Sequence, residues 1–452
     1  MVAPRISKVE RIMVDVPFTP RCAEWNPLLV SRWRLAELWK LTADAPDLVG
    51  WGESLLYYNA APVTEAAVAR VQGANPFELL GDDTLGVGLQ MAVYDLAAKA
   101  AGVPVNRLFG LPQVREWCPL GWWNHDMPPE VLAEEAKEAV AQGYRAHKFK
   151  SRPWLDVYEQ VAQVSAVTPD GYKIDIDWND MLLNAANAAP VLQELDRQPK
   201  VALYEGPIPQ RDVEGYAHLR RKVSKPIAIH LGLPPFPTAI EREVCDGFVV
   251  AGGVAETLRQ GMLSATFEKS FFLQQVGTGI TTAMVAHLGS VLTHARWPAI
   301  TCMNNYTDDL LTEPLTIRHG SVKTPEGPGL GVTVDEDAVE RLRATPTPDG
   351  RFDVPMRRHI ITVTWPGGRR VHYAYMQKPR PSDASPFAHL QFAQGARPAN
   401  EVVGRQCWED FLTGNHPVQE RGVRLSFRVD DGTAEWADLY ERCHRAPVWE
   451  EA

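Results

Sequence analysis

The sequence predicts an α/β chain with a closed parallel barrel in its middle, a small α+β unit before it and a β-containing segment after it. Three observations carry this reading. Apolar and polar residues alternate at Val9–Val16 and Trp33–Leu41, and the run Asp47–Glu53 supplies a turn and third strand, which makes a meander. From Trp117 the rhythm becomes short apolar strands separated by amphipathic helices of about a dozen residues. After Glu340 it breaks at the Pro-rich joint Thr345-Pro346-Thr347-Pro348-Asp349-Gly350.

Helical periodicity follows the meander at Thr64–Gln72 and Gly88–Ala101. The second helix is closed by Gly102-Val103-Pro104, a glycine after the last turn and a proline beyond it. Residues 1–115 are therefore expected to form the α+β unit. Eight strands are expected next: Trp117–Gly121, Ala146–Lys150, Lys173–Asp177, Val201–Glu205, Pro226–His230, Gly247–Val250, Phe271–Val276 and Ala299–Met303. Helices such as Pro129–Gln142, Leu155–Val167 and Ala185–Leu195 separate them. Eight alternating units within residues 116–310 favour a closed barrel of the TIM type over an open doubly wound sheet. Gly277-Thr278-Gly279 and Gly329-Leu330-Gly331 lack the third glycine and the ribose acid of a dinucleotide fingerprint. Residues 345–452 have a different texture. A hairpin is expected from Ile360–Trp365 and Arg370–Tyr375, another strand at Arg424–Val429, and a surface loop over Pro379–Asn400. This extension is expected to form its own β-containing unit or to pack on a neighbouring surface, outside the catalytic mouth.

With 452 residues, 45% of them apolar and 23% charged, the chain is long enough to bury large cores without disulfide or metal staples. Its 46 basic and 56 acidic residues give a net charge of −10, which argues against nucleic acid and membrane surfaces as partners. No apolar run is long enough to span a bilayer, and Met1–Ser7 is not followed by the apolar stretch of a signal peptide, so a cytoplasmic location is expected. Cys22, Cys118, Cys245, Cys302, Cys407 and Cys443 are scattered without a C-x-x-C pair, the pattern of buried thiols.

In such a barrel, reactive groups come from the C-terminal ends of the strands. Strand two ends Lys148-Phe149-Lys150, strand three Asp177-Trp178-Asn179, strand four Tyr204-Glu205-Gly206-Pro207 and strand five Ile229-His230. Side chains alternate along a strand, so Lys148 and Lys150 share the inner face, as do Asp175 and Asp177. Two acids on successive strands with a third donor on the next suit a hard divalent cation facing Lys150. Such a cation would hold a substrate carboxylate and stabilise the enediolate formed when Lys150 takes the neighbouring proton. A salt-bridged barrel core of the same residues is the plainer alternative.

These residues carry a resemblance to the enolase superfamily, in its mandelate racemase and muconate lactonizing enzyme branch, over about residues 5 to 344. Gly50-Trp51-Gly52-Glu53 resembles the end of a capping-domain strand, and Ala92-Val93-Tyr94-Asp95-Leu96-Ala97-Ala98-Lys99 with Gly102-Val103-Pro104 resembles the capping helix. Gly143–Lys150 resembles the K-x-K strand, and Pro328-Gly329-Leu330-Gly331-Val332 the return from barrel to cap, within residues 311–344. The resemblance implies a modified (β/α)₇β barrel under an α+β cap, Mg²⁺ held by three acids on strands three to five, and a symmetric homo-oligomer. Matched position by position, it implies Asp177 and Glu205 as metal ligands, Lys150 as the base and Lys148 as the cation beside it. Where the third acid should stand, the sequence has His230 and Leu231. Only His230 can coordinate, and imidazole is a poor ligand for Mg²⁺ and a good one for softer metals.

The opposite wall departs further. Racemase-like members pair a His on strand seven with an Asp on strand six, but the matching positions are Gln274 and Gly247, with Asp246 one step off register. The strand-six Lys of muconate-type members is absent. A base on one face disfavours racemization and leaves dehydration of a hydroxylated or sugar acid as the expected reaction, with a small carboxylate as substrate. Racemase or cycloisomerase activity, a catalytically silent acid-binding barrel and a Schiff-base lyase centred on Lys148 or Lys150 are the alternatives. Trp25, Trp122, Asn124, His125, Asn179, Gln274 and Asn304 are expected to wall the substrate pocket.

Overall fold

The computed structural model describes residues 4–45, 47–56, 63–354, 358–376, 419–445 and 447–451. Strands β1 (Ile6–Asp15), β2 (Leu35–Ala43) and β3 (Val49–Leu55) form the antiparallel meander. The helix Val87–Ala101 lies against β3 so closely that Gly50 and Gly52 are required: a Cβ there would stand 2.4 Å from the Ala92 oxygen and 2.0 Å from the Gly88 oxygen. Asp95 of that helix accepts the amides of Trp51 and Leu330 and pairs with Lys99, joining strand, helix and return segment at one buried carboxylate. The helix ends at Gly102, whose φ of 68° is left-handed.

The barrel starts later than the sequence suggests. Strand β4 (Trp117–Pro119) pairs antiparallel with Ser321–Lys323 instead of entering the barrel. Barrel strand one is β5 (Trp122–Asn124), followed by β6 (Ala146–Lys150), β7 (Lys173–Asp177), β8 (Val201–Glu205), β9 (Ile227–His230), β10 (Gly247–Val250) and β11 (Ser270–Leu273) in sequential parallel order. The expected eighth strand is too short to be regular, because Pro298 has no N–H and Cys302 turns left-handed at φ 61°. Residues 299–301 nevertheless close the ring: Gly121 donates to the Ala299 oxygen at 2.9 Å, Ile300 to the Leu273 oxygen at 2.8 Å and Gln275 to the Ile300 oxygen at 3.1 Å. Trp123, Leu203, Ala228, Val249, Phe272, Ile300 and Cys302 fill the interior.

The return segment contains β12 (Ile317–Arg318) and β13 (Ser321–Lys323), then reaches the cap, where the Ala344 amide donates to the Met13 oxygen at 2.8 Å. A second bond between cap and barrel comes from Glu53 at 0% exposure. Its carboxylate accepts the amides of Thr278 (2.8 Å) and Thr281 (3.0 Å) and both hydroxyls, at the start of the helix Gly279–Val291.

The extension forms a four-stranded antiparallel sheet of β14 (Arg358–Thr364), β15 (Arg370–Met376), β16 (Arg424–Val429) and β17 (Val448–Glu450), in the order β16-β14-β15-β17. The hairpin and the third strand match expectation. The helix Ala434–Arg445 does not, although Trp436, Tyr440 and Cys443 recur at helical spacing and pack on Ile360 and Ala374. The other sheet face, with Ile361, Val363, Val371, Tyr373 and Leu425, covers Trp154, Leu155 and Met181. Those three residues belong to the loops after β6 and β7, so the extension lies against the flank of the barrel mouth. Pro379–Asn400 and Cys407 fall outside the described residues. The other five cysteines are free and buried. No helix among the described residues is long and apolar enough to cross a membrane.

Candidate active site

Parallel register assembles the mouth. Lys150 lies beside Asp177 on β7, and Asp177 beside Glu205 on β8. The Lys150 ammonium donates to Asp177 Oδ2 and Asn179 Oδ1, each at 2.6 Å. The Lys148 ammonium rests against Glu205 Oε2, lies 3.6 Å from Asp177 Oδ2 and donates to Gln274 Oε1 at 3.0 Å. It also sits 4.8 Å above the Phe272 ring. The side chains of Lys148, Asp177 and Glu205 are each only 2% exposed, whereas Lys150, nearer the opening, is 13% exposed.

The charges shape one another. Burial works against an ionised Asp177, but Lys150 and Lys148 override it and hold the carboxyl far below its usual range. Burial pulls Lys150 below the usual lysine value; Asp177 opposes this, while Arg152 and Lys148 reinforce it. Asp175, one level deeper, is pushed up to about 7 by burial, with Lys148 opposing and Glu205 adding. Asp180, beyond the mouth, is also pushed up to about 7, by burial first and by Asp177 next.

Arg152 was not anticipated, because it lies two residues past the end of β6 in the following loop. It is 1% exposed, donates to Asn179 Oδ1 at 2.6 Å and lies 3.2 Å from Asp126, itself fully buried. Burial opposes the Asp126 charge, and the guanidinium keeps its carboxyl low all the same. His125 Nδ1 stands 2.9 Å from the same carboxylate, and burial lowers its pKa. Asn179 therefore bridges Lys150 to a buried His125–Asp126–Arg152 cluster.

The remaining expected pocket residues divide. Because strand one starts at Trp122, Trp123 is the residue beside Lys148, and it stacks on Trp33 with ring centres 5.1 Å apart. Trp122 and Asn124 have the opposite parity; both donate to buried Glu135 at 3.0 Å, and Asn124 also bonds His147. They are outward packing residues. Asn304 is spent on the Trp123 backbone, accepting its amide at 3.2 Å and donating to its oxygen at 2.9 Å. Trp25 meets Phe427 of the extension edge-on at 4.9 Å. Gln274 holds Lys148. His230, with 37% of its side chain exposed, has Nε2 3.5 Å from Glu205 Oε1. On the opposite wall, Asp246 faces away to Arg220 at 2.6 Å, and β10 and β11 carry no ionisable side chain. A separate cleft of about 550 Å³, lined by Arg21, Tyr144, Tyr306, Asp308 and Asp309 among others, includes neither lysine and neither acid.

The expected metal ligands do not assemble a three-donor set. Among the described residues no group of three His, Cys, Asp or Glu could hold an ion. Asp177 and Glu205 are engaged by lysine ammoniums, and the third position offers an imidazole near Glu205 alone. The residues present do not fit Mg²⁺, which demands oxygen ligands in near-octahedral geometry.

Residues 131–338 match the family described as enolase C-terminal domain-like. The chain is 28% identical over 308 residues to a D-gluconate dehydratase of Thermoproteus tenax, a match covering 61% of this chain and 59% of that protein. It thus spans about three-fifths of that relative's length. An N-succinyl-L-Arg/Lys racemase of Bacillus cereus is 25% identical over 277 residues, covering 58% of this chain and 73% of the relative. In fold, the chain is similar to the crystal structure of muconate cycloisomerase from Pseudomonas fluorescens, with a TM-score of 0.61 and 20% identity over 75% of this chain and 99% of that one.

Proposed function

This chain belongs to the enolase superfamily, and from that premise we propose that its barrel mouth dehydrates a hydroxylated carboxylic acid of the sugar-acid class. The observation that carries the reading is the one-sided distribution of titratable groups. Lys148, Lys150, Arg152, Asp177 and Glu205 crowd one side, and β10 and β11 facing them carry none. A reaction needing a base on each substrate face has only one here; syn elimination needs no more.

Neutral Lys150 takes the proton from the carbon beside the substrate carboxylate. The electron pair enters the carboxylate as an enediolate, whose added charge faces the Lys148 ammonium. Lys150, now an ammonium, returns that proton to the departing β-hydroxyl; the C–O bond breaks, water leaves, and an enol remains that becomes a 2-keto acid on taking a proton from solvent. Asn179 orients Lys150 through its 2.6 Å bond, and burial beside Arg152 and Lys148 lowers the cost of its neutral form. The D-gluconate dehydratase relative carries out a reaction of this class by name.

Incubation with a panel of aldonic and other hydroxylated acids tests the proposal. Water loss with appearance of a 2-keto acid is expected for at least one member. Inversion at the α-carbon without water loss would replace dehydration by racemization.

A further inference from the structure

We propose that Lys148 is an internal cation occupying, as part of the fold, the place between Asp177 and Glu205 where a divalent ion would otherwise neutralise the mouth, so that this barrel is complete without a bound metal. The inference rests on the catalytic reading of the mouth but is tested without substrate.

Three observations converge. The first is how Lys148 is held. An ammonium has three donors in a roughly tetrahedral fan, and Lys148 meets Glu205 Oε2, Gln274 Oε1 at 3.0 Å and Asp177 Oδ2 at 3.6 Å, with the Phe272 ring 4.8 Å away. At 2% exposure it is fixed by acceptors on three strand ends and is not a surface lysine that happens to reach inward. Gln274 matters here, because a neutral acceptor on the far strand anchors the ammonium without adding charge.

The second is how the acids are used. Asp177 Oδ2 takes Lys150 at 2.6 Å, and its Oδ1 accepts the Asn179 amide at 2.8 Å. Lys148 lies against Glu205 Oε2 and the His230 imidazole 3.5 Å from Oε1, although among the described residues neither buried oxygen has a hydrogen-bond partner. Asp175, one level deeper, and Asp180, beyond the mouth, are coupled to these acids by charge, but among the described residues no three ligating side chains come together, and the residue after His230 is Leu231.

The third is charge. Lys148 and Lys150 face Asp177 and Glu205 in a site where the acids and Lys148 are nearly dry, with Arg152 adding a further positive charge beside them. A divalent ion added among them would stand beside the Lys148 ammonium in a low-dielectric enclosure, where like charges repel strongly. The lysine also brings one charge where an ion brings two, and His230 and Leu231 stand where a third acid would be.

The experiment uses the full chain, purified without chelator for elemental analysis and exhaustively chelated for the titrations. Elemental analysis of the purified protein is expected to find far less than one equivalent of any divalent metal. Manganese titration followed by electron paramagnetic resonance is expected to show no site at millimolar Mn²⁺, and millimolar Mg²⁺ or chelator should leave the melting temperature unchanged. Lys148→Met uncovers the two carboxylates, and this variant is expected to gain Mn²⁺ binding that Asp177→Asn in the same background removes. Stoichiometric metal in the purified protein, or Mn²⁺ binding by the unmodified chain that Asp177→Asn abolishes, would overturn the proposal even if Lys148→Met failed to fold. α-Proton exchange separates the two readings. Exchange lost on chelation overturns the internal cation and leaves Lys150 as base, whereas exchange absent with every acid sinks the dehydratase reading while the titration still decides this one.

Discussion

Asn179 accepts Lys150 and Arg152 on one oxygen, and Arg152 in turn faces Asp126, so the base is steadied by a chain of buried polar groups. Removing Arg152 leaves a fully buried carboxylate without its main partner. Arg152→Met is expected to lower unfolding free energy by about 3–5 kcal/mol, read by denaturant titration; a cost below about 1 kcal/mol would show the pair is not structural. Buried histidine gives a second prediction. His287 accepts no easy charge: burial lowers its pKa to about 4, against the Leu330 oxygen 3.0 Å away, which favours the charged form. The unfolded chain protonates this histidine near its usual value, so between roughly pH 6.5 and 4 the unfolded state binds the extra proton and stability falls as pH falls. Relative to His287→Gln, the protein should lose up to about 1.4 kcal/mol per pH unit across that window, and a flat difference would contradict it. Of the mouth, the K-x-K and Asp-x-Asn strand ends were legible because parity is local. Trp122 and Asn124 were misassigned because the barrel strand begins at Trp122, so residues expected after strand one lie within it on alternating faces, and nothing local marks that Trp117–Pro119 pairs elsewhere.

At the scale of elements, the packing of β3 on the helix Val87–Ala101 within the cap depends on contacts too close for side chains. Gly52→Ala places a Cβ against the Gly88 oxygen and is expected to cost about 1–3 kcal/mol or more, measured as a lowered denaturation midpoint at unchanged slope. An unchanged midpoint would mean that β3 and the helix Val87–Ala101 can separate freely. The meander, the capping helix and six barrel strands, β6 to β11, were legible from periodicity and turn residues. The eighth was legible only as an apolar run, since Pro298 and Cys302 reduce it to three bonded residues. The helix Ala434–Arg445 was missed although its signal is local: Trp436, Tyr440 and Cys443 recur at helical spacing, and the Thr433 hydroxyl accepts the Trp436 amide at 3.1 Å.

For the whole molecule, the extension is a fixed neighbour of the mouth. Its sheet buries Trp154, Leu155 and Met181, and the Gly422 amide donates to Asp156 Oδ2 at 2.6 Å, beside the loop that carries Arg152. Trp154→Ala should therefore cost about 3–5 kcal/mol and loosen residues 151–156 and 178–183 together in hydrogen exchange; loosening confined to one loop would show that the sheet does not clamp both. This docking was not legible, because sequence shows that the extension is a different unit and not which surface it meets. In the proposed reaction Lys150 removes the proton beside a carboxylate, a step that solvent-deuterium exchange reads. With an accepted acid in D₂O, mass spectrometry and proton NMR should show deuterium entering the α-position, at a rate that rises with pH as Lys150 becomes neutral. Lys150→Met should abolish exchange while leaving the fold intact by circular dichroism. Full exchange in Lys150→Met would contradict the account.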